Sequence, residues 1–146
     1  MNETRRVIAS AVLCLSLAPL LTSCGSDGPS DDPVKSAENY LKAMSENDTV
    51  KMCELAAQKS QRYTGPVDGH YFTMAKCESN VSETDGLGDE SLADVDIEGE
   101  AKVTGNNAII EVEQLKNLEV DVSTGFQLLR TDDKWYVTLA LGTRPG

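Results

Sequence analysis

The sequence is poor in the side chains from which many enzyme centres are built. It contains a single histidine, His70, and aromatic side chains make up only 5% of its 146 residues. Neither a Gly-x-Ser-x-Gly nucleophile motif nor a glycine-rich phosphate loop occurs along the chain. The usual signals for a serine hydrolase and for nucleotide binding are therefore missing, and we predict no cofactor.

Positive charge is also scarce. The chain has 13 Lys and Arg residues against 24 Asp and Glu residues, which gives a formal net charge of −11. A chain of this charge repels phosphate backbones, so nucleic-acid binding is disfavoured. It repels anionic lipid head groups for the same reason, so a membrane anchor has to be covalent rather than electrostatic.

The apolar run near the N-terminus is too short for an ordinary membrane span. It covers Val7–Leu21 and contains Pro19, whereas a spanning helix needs about 20 residues. Arg5 and Arg6 precede it and small residues follow it, which is the order of a secretory signal peptide. We therefore predict a signal peptide over residues 1–23, with a membrane-spanning anchor as the alternative.

The residues directly after this run read Leu21-Thr22-Ser23-Cys24. They resemble the bacterial lipobox, in which an aliphatic residue and two small residues precede the cysteine that begins the mature chain. The resemblance implies cleavage before Cys24 and diacylglycerol on its sulfur, which would hold the protein at the extracytoplasmic face of the cell membrane. An ordinary secretory signal that ends near a cysteine is the alternative.

Two of the four cysteines remain as a pair, because Cys14 leaves with the signal and Cys24 takes the lipid. In an oxidising compartment the pair Cys53 and Cys77 predicts a disulfide. A two-cysteine metal site is the alternative, but the spacing matches no zinc pattern. The acidic segment 83–100 also fails the EF-hand pattern, so we predict no metal site.

The mature chain divides into three segments. Residues 24–32 are small and polar, which is typical of a flexible tether behind the lipidated cysteine. Residues 33–142 form one α+β domain, and residues 143–146 are a C-terminal tail. Removing the signal leaves 123 residues, a length suited to a single domain.

Apolar residues at helical spacing predict three helices in the first half of the domain. The first is capped by Asp32 and has Pro33 at its first position, where the missing N–H costs nothing. Asp48 caps the second, which frays near Ser60. A short third helix is predicted over roughly residues 70–79.

The second half of the domain changes to a period of two, which indicates strands. Val95–Val103 alternates with charged residues, and Gly105–Asn107 predicts a hairpin turn into a return strand over Ala108–Leu115. Further strands are predicted near residues 125–130 and 134–141. We therefore predict an α+β fold, with two to three N-terminal helices packed on a curved antiparallel sheet of about four strands.

Four short stretches within this order carry a family likeness. They are the helix Ala37-Glu-Asn-Tyr-Leu-Lys-Ala43, the break Glu46-Asn-Asp48, the helix with Cys53-Glu-Leu and the closing Lys134-Trp-Tyr-Val. The order resembles the nuclear transport factor 2-like or cystatin-like superfamily, in which helices and a curved sheet form a cone. It is also similar to small lipoproteins of unknown function from Gram-positive bacteria.

Three hypotheses on function follow, the third of which is a purely structural or immunogenic surface protein without a pocket. The anchor, the tether and the missing catalytic set favour a non-catalytic module that binds an envelope protein or a small ligand. In cyclases and isomerases of the superfamily, an Asp/His pair inside the cone does acid–base work. The alternative is therefore a cone-cavity enzyme of the cyclase/isomerase type that uses His70 and Asp68, although a surface loop also explains His70.

The larger aromatic residues have two possible roles. At their spacings they form either plain core or the lining of a cone cavity. The candidates are Tyr40, Phe72, Phe126, Trp135 and Tyr136.

Overall fold

The computed structural model describes residues 27–84, 86–119 and 125–139. The predicted signal peptide, Cys24 and the predicted tail at 143–146 lie outside these ranges. Along the part of the chain that is described, no helix combines the length and apolar character needed to cross a membrane.

The first helix forms as its cap predicts. α1 spans Pro33–Ser45, and the Asp32 side chain accepts hydrogen bonds from the backbone N–H groups of Val34 and Lys35. It packs against the strand nearest the C-terminus, Lys134–Leu139. The buried face of the helix carries the apolar residues Ala37, Tyr40, Leu41 and Met44.

The second and third helices are shorter than predicted or shifted along the chain. α2 spans Thr49–Glu54 behind the expected Asp48 cap, but the chain then becomes a strand instead of continuing to Ser60. α3 spans Met74–Val81 and is capped by the Thr73 side chain. The predicted extension of the second helix is wrong, because its last residues pair with a distant strand.

The main sheet has six strands in the order β2-β1-β8-β7-β5-β4, and a separate two-stranded sheet joins β3 to β6. All pairs are antiparallel except β1 with β8, which are parallel. The strands are β1 (Ala56–Lys59), β2 (Thr64–Pro66), β3 (Asp96–Ile97), β4 (Lys102–Thr104), β5 (Asn107–Ile110), β6 (Leu115–Lys116), β7 (Phe126–Thr131) and β8 (Lys134–Leu139).

The α+β class is confirmed, while the strand count exceeds the four expected. The predicted strand Val95–Val103 is split into β3 and β4 at Gly99, whose φ of 83° no strand residue adopts. The return strand is likewise interrupted after Ile110 by a 3-10 turn over Val112–Gln114. The final hairpin forms as expected, with Asp132 and Asp133 both at positive φ in its turn.

The predicted disulfide between Cys53 and Cys77 is confirmed. It joins α2 to α3, the Cα atoms are 5.8 Å apart, and both residues are fully buried. The bond therefore fixes α3 against α2. The turn before α3 is held in the same way near β1, the strand that follows α2.

Candidate functional site

A cleft of about 480 Å³ lies where the β1–β2 edge of the sheet meets the approach to α3. Its volume falls within the range of small-molecule sites. β1, the turn between β1 and β2, the turn before α3 and α3 itself contribute its walls. The lining residues are Gln58, Ser60, Gln61, Arg62, Tyr63, His70, Tyr71 and Lys76.

The first wall is the turn between β1 and β2. The Tyr63 hydroxyl donates to the carbonyl of Pro66 at 2.6 Å, and the Tyr63 N–H donates to Ser60 Oγ at 3.2 Å. A Cβ at Gly65 would lie 2.8 Å from the Tyr63 hydroxyl oxygen, so only glycine lets the ring lie this close to β2. Desolvation, and to a smaller degree the charge of Asp68, raises the pKa of Tyr63.

The second wall is a turn organised by Asp68. Its Oδ1 accepts hydrogen bonds at 2.8–2.9 Å from the backbone N–H groups of His70, Tyr71 and Phe72. Desolvation raises the pKa of Asp68, but these donors outweigh it and hold the pKa below its ordinary value. Asp68 is therefore an anion that fixes the turn, with Phe72 directed into the core and Tyr71 towards solvent.

The two walls meet in an aromatic stack. The rings of Tyr63 and Tyr71 lie 5.8 Å apart at an interplanar angle of 19°, and the His70 ring meets Tyr71 edge-on at 4.4 Å. His70 and Tyr71 are both exposed. Because the tyrosines belong to different turns, the stack joins the two sides of the cleft into one surface.

The Gln58 carboxamide is the unusual group in this cleft. Gln58 is only 4% exposed, and its Oε1 has no hydrogen-bond partner among the described residues. Buried acceptors are nearly always paired, and leaving one unpaired costs about 1–3 kcal/mol. Opposite Gln58 in the sheet are Gly65 and Leu139, whose side chains offer no donor. Gln58 is also one of the residues that line the cleft.

Charge sets this cleft apart from other depressions of the surface. Arg62 and Lys76 line it together with neutral side chains, and no carboxylate does. The chain as a whole has a net charge of −11. Three other depressions each contain carboxylates, which are Asp31, Asp32 and Glu100 in the first, Asp27, Glu46 and Asp48 in the second, and Glu111 and Glu113 in the third.

The residues predicted as an acid–base pair lie near one another but are used differently. His70 lines the cleft, whereas Asp68 is committed to the backbone of its own turn. The hydrogen bonds of the described chain include none between the Asp68 carboxylate and the His70 imidazole. The structure therefore places one member of the pair at the site and gives the other a local structural role.

The five aromatic candidates occupy different positions in the described part of the chain. Tyr40, Phe72 and Trp135 are buried in the core, and Phe126 meets the Tyr40 ring edge-on at 6.3 Å. Desolvation by burial raises the pKa of Tyr40. Tyr136 lies on the opposite face of β8 from Trp135, because successive strand residues point to opposite faces.

Sequence reasoning missed Gln58, Arg62, Tyr63 and Lys76. The available signal was a polar residue, Gln58, directly after the apolar run Leu55-Ala56-Ala57. That signal is weak, because a polar residue also follows an apolar run wherever a helix or strand ends in solvent.

The described residues contain no group of three His, Cys, Asp or Glu side chains placed to hold a metal ion. Comparisons with protein-family models, curated proteins and solved structures give no match to this chain. The chemistry of the cleft is therefore the basis for an argument about function.

Proposed function

We propose that this protein is an extracytoplasmic lipoprotein, anchored through lipid on Cys24, whose domain binds a small ligand without transforming it. The observation that carries the binding function is the unpaired Oε1 of Gln58 beside an open cleft. A buried acceptor without a partner lowers the stability of the fold. A ligand that donates a hydrogen bond to Gln58 removes this cost, so the same feature that weakens the free protein favours the complex.

We also propose that the helices and the sheet form the cone arrangement of the nuclear transport factor 2-like or cystatin-like superfamily. Two features support this assignment: α1 and α2 precede every strand, and β4, β5, β7 and β8 form an antiparallel run after α3. The superfamily hosts both binders and enzymes, so the fold alone does not choose between them.

A second candidate function is acid–base catalysis by His70 and Asp68, in the manner of a cyclase or isomerase. One observation favours it, namely that His70 lines the cleft. No hydrogen bond joins the Asp68 carboxylate to the imidazole among the described residues, and Oδ1 of Asp68 receives three backbone N–H groups instead. Catalysis would need His70 and Asp68 to act together, whereas binding needs only the residues that line the cleft. We therefore favour binding without catalysis.

The anchor can be tested by mass spectrometry of the membrane fraction. We expect the mature wild-type chain to begin at Cys24 with diacylglycerol on its sulfur, and the Cys24→Ala variant to lack the lipid. Cys14→Ala is the matched control, because it removes a cysteine from the predicted signal and should leave the anchor intact. An unmodified wild-type chain in the soluble fraction would contradict the proposal.

Gln58→Met should stabilise the free protein by about 1 kcal/mol, because it replaces an unpaired buried amide with an apolar side chain of similar length. Urea denaturation measures the change. Gln61→Met is the matched control, since Gln61 is exposed and should change stability by less than about 0.5 kcal/mol. A Gln58→Met variant that is less stable than the wild type would show that the amide serves the fold.

The same variant should lose ligand binding. We would screen the isotope-labelled wild-type domain by NMR against small molecules of neutral, cationic and anionic type. Binding at the cleft should shift the amide signals of residues 58–63 and 70–76, and Gln58→Met should abolish these shifts. Shifts confined to other parts of the surface, or none with any compound, would overturn the binding function.

A further inference from the structure

We infer that the cleft selects small organic anions that also carry hydroxyl or N–H donors, the class that includes hydroxy acids and sugar acids. This inference rests on the proposed binding function and names the chemistry of its ligand. Three properties of the cleft support it, which are its charge, the unpaired acceptor of its lining residue Gln58 and its aromatic wall.

The charge of the lining favours an anion. Arg62 and Lys76 are both exposed, and the lining contains no carboxylate to neutralise them. Elsewhere the chain is strongly acidic, so a small cation would be drawn to the other depressions instead. An anion is attracted most strongly to positive side chains that have no carboxylate beside them, and Arg62 and Lys76 in the cleft are of this kind.

The unpaired acceptor of Gln58 calls for a donor on the ligand. The Oε1 of Gln58 is a carbonyl-type oxygen and can only accept a hydrogen bond. A simple carboxylate such as acetate offers only acceptors, so it would leave this oxygen unpaired. A hydroxyl or N–H group on the carbon skeleton of the anion satisfies the oxygen while the carboxylate meets the cationic side chains.

The aromatic wall and the size of the cleft require a carbon skeleton. The stacked rings of Tyr63 and Tyr71 form an apolar flank, and Tyr71 is 55% exposed. An inorganic ion would leave this flank uncovered. The volume of about 480 Å³ accommodates a molecule of monosaccharide size.

Four probes test these requirements separately, with NMR titration of the Gln58 side-chain amide as the readout. D-glucuronate and L-lactate carry both a carboxylate and hydroxyl groups, D-glucose lacks the charge, and acetate lacks the donor. We expect glucuronate or lactate to bind at least about tenfold more tightly than glucose and acetate. Tighter binding of glucuronate indicates a sugar acid as ligand, and tighter binding of lactate indicates a small hydroxy acid.

Each alternative outcome has a distinct meaning. Glucose binding as tightly as glucuronate would overturn the requirement for charge, and acetate binding as tightly would overturn the requirement for a donor. If only neutral or cationic compounds of the wider screen bind the cleft, this inference fails while the binding function stands. If no compound binds the cleft, both fail.

Charge variants locate the anion. Arg62→Gln and Lys76→Gln should each weaken glucuronate or lactate binding about two- to fivefold, which is the range for exposed ion pairs. Lys102→Gln is the matched control, because Lys102 is exposed on β4, at the opposite edge of the sheet. It makes the same change in net charge and should leave binding unchanged. Equal weakening by all three variants would show that only the overall charge matters.

Discussion

Replacing Cys53 and Cys77 together by alanine is expected to lower the free energy of unfolding by about 3.5 kcal/mol. The bond joins residues 24 apart in sequence, so it restricts a long loop of the unfolded chain. It also lies at the contact between α2 and α3, where both sulfur atoms belong to fully buried residues. Urea denaturation would report this loss as a lower midpoint, together with a steeper slope because the unfolded chain without the bond is more expanded.

The control for this variant is the wild-type protein in the presence of reductant. Reduction should bring the wild type close to the stability of the double variant, and the double variant itself should not respond. Two cysteines that react with a thiol reagent in the oxidised wild-type protein would contradict the bond. Equal stability of the two proteins would show that the bond restricts little.

Phe72→Ala is expected to destabilise the protein by about 3–5 kcal/mol, because it removes a large buried ring and leaves a cavity. Phe72 is 0% exposed and belongs to the main core cluster. Tyr71→Ala is the matched control at the neighbouring position. Tyr71 is 55% exposed and contributes chiefly its stack with Tyr63, so its loss should cost about 1 kcal/mol or less.

The comparison also separates the two roles considered for Phe72. A core residue gives a large loss of stability on truncation, whereas the lining of a ready-made cavity gives a small one. A loss below about 1 kcal/mol for Phe72→Ala would therefore contradict its assignment to the core. Both variants can be measured by urea denaturation under the same conditions.

The features predicted correctly from the sequence depend on local chemistry. The first helix begins where Asp32 and Pro33 predict, because capping is decided within a few residues. The last hairpin turns at Asp132 and Asp133 for the same reason. The disulfide followed from the number of cysteines and required no knowledge of the fold.

The features that were missed depend on distant partners. Ala56 and Ala57 have no preference for a strand, yet they pair in parallel with β8, about 80 residues further along the chain. The pairing of these residues with β8 therefore overrides the helical spacing of apolar residues, which predicts a longer second helix. Gln58 could not be predicted for the same reason. Whether its side-chain amide has a hydrogen-bond partner depends on the neighbouring strands, which the sequence does not identify.

The aromatic residues show a further limit of sequence reasoning. Trp135 and Tyr136 are adjacent in the chain, and their chemistry suits a core and a cavity equally well. Their separation onto opposite faces follows once β8 is known, but which face is covered depends on where α1 packs.

The disulfide has a consequence for how the proposed binding site can change. Every residue that lines the cleft, from Gln58 to Lys76, lies between Cys53 and Cys77 in the sequence. The lining of the cleft thus lies within one continuous segment closed by the disulfide, and this segment includes β1 and β2 of the main sheet. Exposed lining residues such as Arg62 and Lys76 can therefore vary, whereas β1 and Phe72 in the same segment are held by the sheet and the core.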